Sequence, residues 1–340
     1  MERVRWIDAT KGIAIFLVML SHLSDRSIPV LTWLTYGYVP MFFVMAGVTY
    51  HPTLDWKSAV YKRTLRLWVP YVFYGLGILT VASLLSHNVS FTRGLLGLLY
   101  GRYDLYPPGS CYSFGLLSKC YYIAPLWFLP CFYLSYLLML LQDRMANKWI
   151  LPLCALALSA LSQYKTILLP YSLDTCFIGF LFMRAGYMWK QRTEETEISH
   201  RRIYDWLVIT LCVFVYWGTG TINGYTNMSL GIFGQIAPWS VLCFLVSGIT
   251  ETLFFALVFR QMNHSFVTRI FSYIGREALR LMCIHIIFGS LFYKLLCYIA
   301  IPPVISLLLA TAGVIGINAL IGFLLRYLSP LDKTGLISNL

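Results

Sequence analysis

Residues 5–24 read Arg5-Trp6-Ile7-Asp8-Ala9-Thr10-Lys11-Gly12, then Ile13-Ala14-Ile15-Phe16-Leu17-Val18-Met19-Leu20, then Ser21-His22-Leu23-Ser24. A charged opening leads into an unbroken apolar run that closes on a polar pair. Such a run is expected to form a membrane-crossing helix over 10–24. Ser24-Asp25-Arg26 offers no small-x-small cleavage site, so the segment reads as a retained first span and not as a cleaved signal. Nine further apolar runs follow, at 36–50, 68–86, 121–141, 149–162, 170–190, 206–222, 239–260, 277–298 and 303–326. Composition agrees: 59% of residues are hydrophobic and 12% charged, too few charges to cover a soluble surface. The expectation is an all-α, polytopic transmembrane helical bundle of about ten spans, forming one domain over 1–340. Residues 227–238, with Gly231, Gly234 and Pro238, read as a re-entrant or interfacial piece.

The net charge of +12 does not point to nucleic acid, because the basic residues lie between apolar runs and not in one stripe. With the N-terminus inside, about eighteen Lys and Arg fall on the cytoplasmic side, among them Arg3, Arg5, Lys11, Lys57, Arg144, Lys190, Arg260 and Arg326. The other side holds Arg26, Arg93, Arg102, Lys119 and Lys165. This asymmetry places both termini in the cytoplasm of a multi-pass protein, most naturally of a bacterial inner membrane. The nine cysteines lie mostly within apolar runs and show no zinc-site spacing with histidine, so no metal is expected. Cys111 and Cys120 share the polar loop 87–120 and are a candidate disulfide in an oxidising compartment. The tyrosines of that loop, at 100, 103, 106 and 112, suit either sugar stacking or an interfacial aromatic belt.

Charged groups inside spans mark function by default. Lys11 and His22 are eleven residues apart, about three helical turns, so they share a face with His22 roughly 16 Å deeper. Asp8 lies about 40° from the same face. An acyl-CoA arm spans a comparable distance from its phosphates to its thioester carbon, and a neutral imidazole can serve as base for an acceptor hydroxyl or accept the acyl group itself. A histidine bonded to a neighbouring helix fits the spacing equally well. Arg63 and Arg66, three residues apart at the start of the third span, share a face that could grip phosphates. Juxtamembrane anchoring explains them too.

Five segments together resemble membrane-bound acyltransferase family 3, and within it the fucose 4-O-acetylase-like branch. They are Trp6 to Gly12 with Ser21-His22; Val39-Pro40-Met41-Phe42-Phe43-Val44-Met45-Ala46-Gly47; Arg63 through Tyr71; Pro125-Leu126-Trp127-Phe128-Leu129-Pro130-Cys131; and Tyr273-Ile274-Gly275-Arg276-Glu277-Ala278-Leu279 with Ile284-His285. They run in family order over most of the chain. The resemblance implies ten or so helices and transfer from a cytoplasmic acyl-CoA, with acetyl-CoA the expected donor, to a hydroxyl of a surface carbohydrate or glycolipid. It implies no permanently bound cofactor. It also implies that His22 is catalytic and that Lys11, Arg63 and Arg66 lie near the CoA. Tyr38 departs from the pattern where the branch often has a second histidine, and Ala46 replaces a usual serine. Asp8, Trp127, Glu251 and His285 are possible cavity or supporting residues, each with a packing role as the alternative. Glu277 and Arg280 are expected to pair with each other, and Asp174 and Asn318 attract no functional expectation. A transporter or flippase without catalysis remains the rival class, though no matched pair of Gly/Pro-broken helices supports it.

Overall fold

The computed structural model describes residues 4–23, 37–85, 89–105, 121–165, 167–195 and 202–328. Cys111, Cys120, Tyr106 and Tyr112 lie outside the described residues, so the expected disulfide does too, as do both chain ends. The helices are α1 (Arg5–Leu23), α2 (Pro40–Val48), α3 (Trp56–Leu85), α4 (Phe91–Tyr100), α5 (Phe128–Arg144), α6 (Ile150–Leu161), α7 (Cys176–Glu195), α8 (Arg202–Asn223), α9 (Ser240–Gln261), α10 (Phe266–Arg276), α11 (Ala278–Tyr298) and α12 (Pro303–Leu328). Among the described residues no strand occurs; Asn227 and Ile232 form a single isolated bridge.

Among the described residues, seven helical stretches are long and apolar enough to cross a membrane: Arg5–Leu23, Trp56–Leu84, Ile123–Arg144, Asp205–Asn223, Ser240–Gln261, Ala278–Tyr298 and Pro303–Leu325. Three expected spans take other forms. The run 36–50 yields α2, only 9 residues long, because Pro40 opens the helix and Thr49 ends it with its hydroxyl turned back to the Met45 carbonyl. The run 149–162 yields α6, of 12 residues. The run 170–190 opens on a 3-10 turn at Pro170–Ser172, and α7 then carries Arg184, Lys190 and Arg192 toward its end.

Two close helix crossings organise the bundle, each made by glycines on both partners. Gly275 of α10 lies against the Asp8 carbonyl and Gly12 of α1 against the Phe271 carbonyl, so the two helices run antiparallel with their backbones in contact. Gly47 of α2 and Gly186 of α7 meet the carbonyls of Met183 and Val44 in the same way. Small residues allow this approach, and close packing is what joins helices where lipid removes the hydrophobic drive. Accordingly α10 buries the small or polar Thr268, Ser272 and Gly275 together with Ile274, and exposes Phe266, Val267, Ile270 and Tyr273 beside Arg269 and Arg276. A Cβ on Gly275 would sit 1.8 Å from the Asp8 carbonyl oxygen, whereas one on Gly77 meets nothing within 4 Å. Gly275→Ala is therefore expected to cost about 3 kcal/mol by forcing α1 and α10 apart, with Gly77→Ala neutral. Thermal unfolding in detergent compares them, and equal midpoints would mean that the crossing is loose.

A buried ionic cluster ties three loops. The Arg102 guanidinium donates from Nε to the Leu169 carbonyl at 3.1 Å and from its other nitrogens to the Ser229 carbonyl and the Asp174 carboxylate. Lys165 engages the second Asp174 oxygen. Tyr100 adds a bond to the Leu168 carbonyl at 2.8 Å. Burial pushes both the Arg102 and Lys165 groups below their ordinary values, and the adjacent Asp174 carboxylate opposes that shift. Beside this cluster, residues 227–238 are largely non-helical, with Gly231 and Gly234 at φ 65° and 137°. The Asn223 amide donates to the carbonyls of Phe233 (2.7 Å) and Ser240 (3.2 Å), so protein groups satisfy this irregular backbone.

One apolar cluster joins α1 (Ile15, Val18, Met19), α3 (Leu67, Tyr71, Ile78) and α11 (Leu281, Met282, Ile284). Helix α11 packs against both α1 and α3. A second cluster joins α2, α5 and α7 through Phe43, Cys131, Tyr136, Phe180 and Phe182. Lys11, His22, Arg63, Arg66 and His285 lie on the helices of the first cluster.

Candidate active site around His22 and His285

Helix α1 is unbroken from Arg5 to Leu23, so Lys11 and His22 are held three turns apart on one rod. His22 occupies its last turn and is exposed. Its ring lies beside that of His285, with centroids 5.2 Å apart and planes inclined at 45°. The contact is set by helix packing: the Leu23 side chain seats over Gly289, one turn along α11 from His285, where a Cβ would lie 2.7 Å from Leu23 Cδ2.

His285 is fully buried. Its Nδ1 lies 3.1 Å from the Leu281 carbonyl and 3.0 Å from the Met282 carbonyl. Both oxygens can only accept, so Nδ1 carries the proton and Nε2 presents a lone pair. Nε2 has no hydrogen-bond partner among the described residues. A bare buried acceptor costs about 1–3 kcal/mol, so this nitrogen is held ready for a donor. Next to His22, Ser21 Oγ returns to the Val18 carbonyl at 2.9 Å and lies 3.3 Å from the Tyr38 hydroxyl. Tyr38, the departure noted in the sequence, thus stands at the site and supplies a hydroxyl there.

The cationic residues form two groups. Lys11 pairs with Asp8 at 3.7 Å, both side chains partly exposed. Helix α3 begins at Trp56, so Arg63 and Arg66 lie two to three turns inside it and not at its start. The Arg63 guanidinium stacks over the Tyr136 ring at 4.2 Å, while Arg66, one turn on, is exposed. Tyr136 in turn packs edge-on against Tyr50, whose hydroxyl donates to Asp143. Arg63 is therefore held rigid and Arg66 is left accessible. The two groups sit on α1 and α3, which share the first apolar cluster.

The remaining candidates separate. Glu251 of α9 is fully buried against Gly37, directly before Tyr38, and neither of its oxygens makes a well-formed hydrogen bond among the described residues. Trp127 lies edge-on to Phe128 at 6.1 Å, its carbonyl accepting from Ser172, and it packs on the second cluster. Glu277 and Arg280 pair as expected, and Arg280 Nε also reaches Asn318 at 3.1 Å, tying α11 to α12. Asp174 belongs to the buried cluster with Arg102 and Lys165. A groove of about 430 Å³ between α10 and α12, lined by Arg269, Ile270, Tyr273, Ile274, Ala312 and Ile315, contains none of the site residues. Sequence reasoning missed Tyr136 beneath Arg63, because 73 residues of chain and no motif separate the pair.

No curated protein and no solved structure matches the chain. A family model for an acyltransferase domain matches residues 4–324, a range that includes Lys11, His22, Arg63, Arg66 and His285. Family membership decides between catalysis and transport without it, and with nearly the whole chain matched, this protein belongs to acyltransferase family 3 and is an acyltransferase.

Proposed function

We propose that the protein is an integral-membrane O-acyltransferase of the fucose 4-O-acetylase-like branch. It moves an acyl group, acetyl in our reading, from cytoplasmic acyl-CoA to a hydroxyl of a surface carbohydrate or lipid-linked glycan. The observation that carries this reading is the exposed His22 ring resting on the buried His285. A base needs one side open to substrate and the other supported, and this pair offers both. On this reading α2, α6 and α7 complete ten crossings of a bacterial inner membrane with both termini cytoplasmic, supported by the distribution of Lys and Arg.

Lys11, Arg63 and Arg66 hold the donor phosphates, and the pantetheine arm follows α1 inward to place the thioester carbon beside His22. His22 takes the proton of the acceptor hydroxyl as that oxygen bonds to the thioester carbon. The tetrahedral adduct then expels the CoA thiolate, which receives the proton from the His22 imidazolium. An ester and CoA thiol leave, and neutral imidazole is restored.

Membranes containing the protein should release CoA thiol from acetyl-CoA in the presence of sugar or lipid-linked glycan acceptors, measured with a chromogenic disulfide. Release no faster than in membranes lacking the protein, across such acceptors, would overturn the proposal. Arg63→Ala and Arg66→Ala should each raise the KM for acetyl-CoA roughly tenfold or more, since each removes a charge-assisted bond. Acceptor KM should stay unchanged, and Lys57→Ala, altering an exposed cation of the same helix, should leave both constants alone. An unaltered donor KM would reduce Arg63 and Arg66 to membrane anchors.

A further inference from the structure

We infer that His285 is a positioning residue for acyl transfer: its Nε2 lone pair accepts the ring N–H of His22 and so determines which His22 nitrogen takes the acceptor's proton. The inference rests on the reading of His22 as the base.

Three observations converge on it. First, the His285 tautomer is dictated by its own helix. The Leu281 and Met282 carbonyls both approach Nδ1, so the proton stays there, although a free neutral imidazole favours Nε2. Second, Nε2 is buried and has no hydrogen-bond partner among the described residues, while the neighbouring ring is that of His22. Third, the two rings differ in access: His285 is fully buried and His22 is exposed. His22 therefore has one side toward incoming substrate and one toward a fixed acceptor. A side chain that served packing alone would fill this space better as leucine or phenylalanine, with no polar atom to strand.

The chemistry follows from a neutral acceptor. When His22 N–H bonds to His285, the other His22 nitrogen carries the lone pair and points away from α11. As that nitrogen takes the hydroxyl proton, positive charge develops on His22 and the existing bond to His285 strengthens. The proton gained by His22 then goes to the departing thiolate, so His285 begins and ends the cycle neutral. A carboxylate in this place would need its own buried counter-charge; an imidazole lone pair does not.

The test uses the intact protein in membranes and compares His285→Leu with His285→Gln. Glutamine reaches the Nε2 position with an amide oxygen that can accept; leucine fills the space without an acceptor. His285→Leu should lower kcat roughly a hundredfold with donor KM within about twofold, and His285→Gln should recover to within about tenfold of the parent. Equal losses in the two variants would assign His285 to packing and overturn the inference. Full activity of His285→Leu beside an inactive His22→Ala would overturn it while leaving the proposed function intact. Full activity of both would remove the proposed function itself. Should both His285 variants fail to fold, nitrogen-15 solid-state spectra of the histidine-labelled parent decide. A His285 protonated at Nδ1 and bare at Nε2 supports the inference, and a proton on Nε2 refutes it.

Discussion

His22→Ala should reduce acceptor-dependent thiol release by about a hundredfold to ten-thousandfold while the protein accumulates and unfolds like the parent. The range is the usual contribution of a positioned general base. The fold should tolerate the change because His22 is exposed at the end of α1, whereas the anchoring side chains of that helix, such as Ala14, Ile15, Val18 and Met19, are buried and untouched. Donor KM should barely move, since the proposed phosphate contacts at Lys11 lie roughly 16 Å away. Added imidazole should partly restore turnover, because truncation leaves an opening beside His285 on an accessible face. Full activity in this variant, with normal folding, would end the assignment of His22 as the base.

The second large effect concerns stability. Asp174→Ala should lower the unfolding midpoint in detergent by roughly 5–10 °C, corresponding to about 3–5 kcal/mol. The carboxylate is 1% exposed, as is its partner Arg102, and Lys165 occupies its other oxygen. Removing it strands two cations in a space that already disfavours charge, and the uncompensated burial sets the penalty. Arg102→Ala tested alone and with Asp174→Ala closes a double-mutant cycle. A large coupling energy is expected; additive losses would show that the contacts act independently. Donor KM should remain normal in protein that stays folded, because Arg102, Lys165 and Asp174 bond to one another and to the Leu169 and Ser229 carbonyls, not to Lys11, Arg63 or Arg66.

The sequence made α1, α3, α5, α8, α9, α11 and α12 legible, because apolar length alone separates such helices from soluble ones. It did not reveal the brevity of α2. Hydropathy sums composition and overlooks that Pro40 starts a helix and that Gly47 serves close packing on α7. The shared face of Lys11 and His22 was legible, since eleven residues make about three turns of one unbroken helix. The meeting of His22 with His285 depends on how α11 docks through Leu23 and Gly289, which no periodicity records. Arg102 and Asp174 were invisible as a pair for the same reason: they stand 72 positions apart, and each alone looks like a loop charge.

One consequence of the Gly12 and Gly275 contact extends to the donor itself. With α10 clamped along its first half and α1 helical throughout Arg5–Leu23, the span from the ammonium group to the imidazole has the length of about three helical turns. On the proposed reading, an acyl carrier reaching from Lys11 to His22 would have to match that length at both ends at once. One residue added between Gly12 and Ser21 would swing His22 about 100° around the rod, away from the face it shares with Lys11. Reach and bearing are written into a single helix, and the neighbour pressed against it keeps both true.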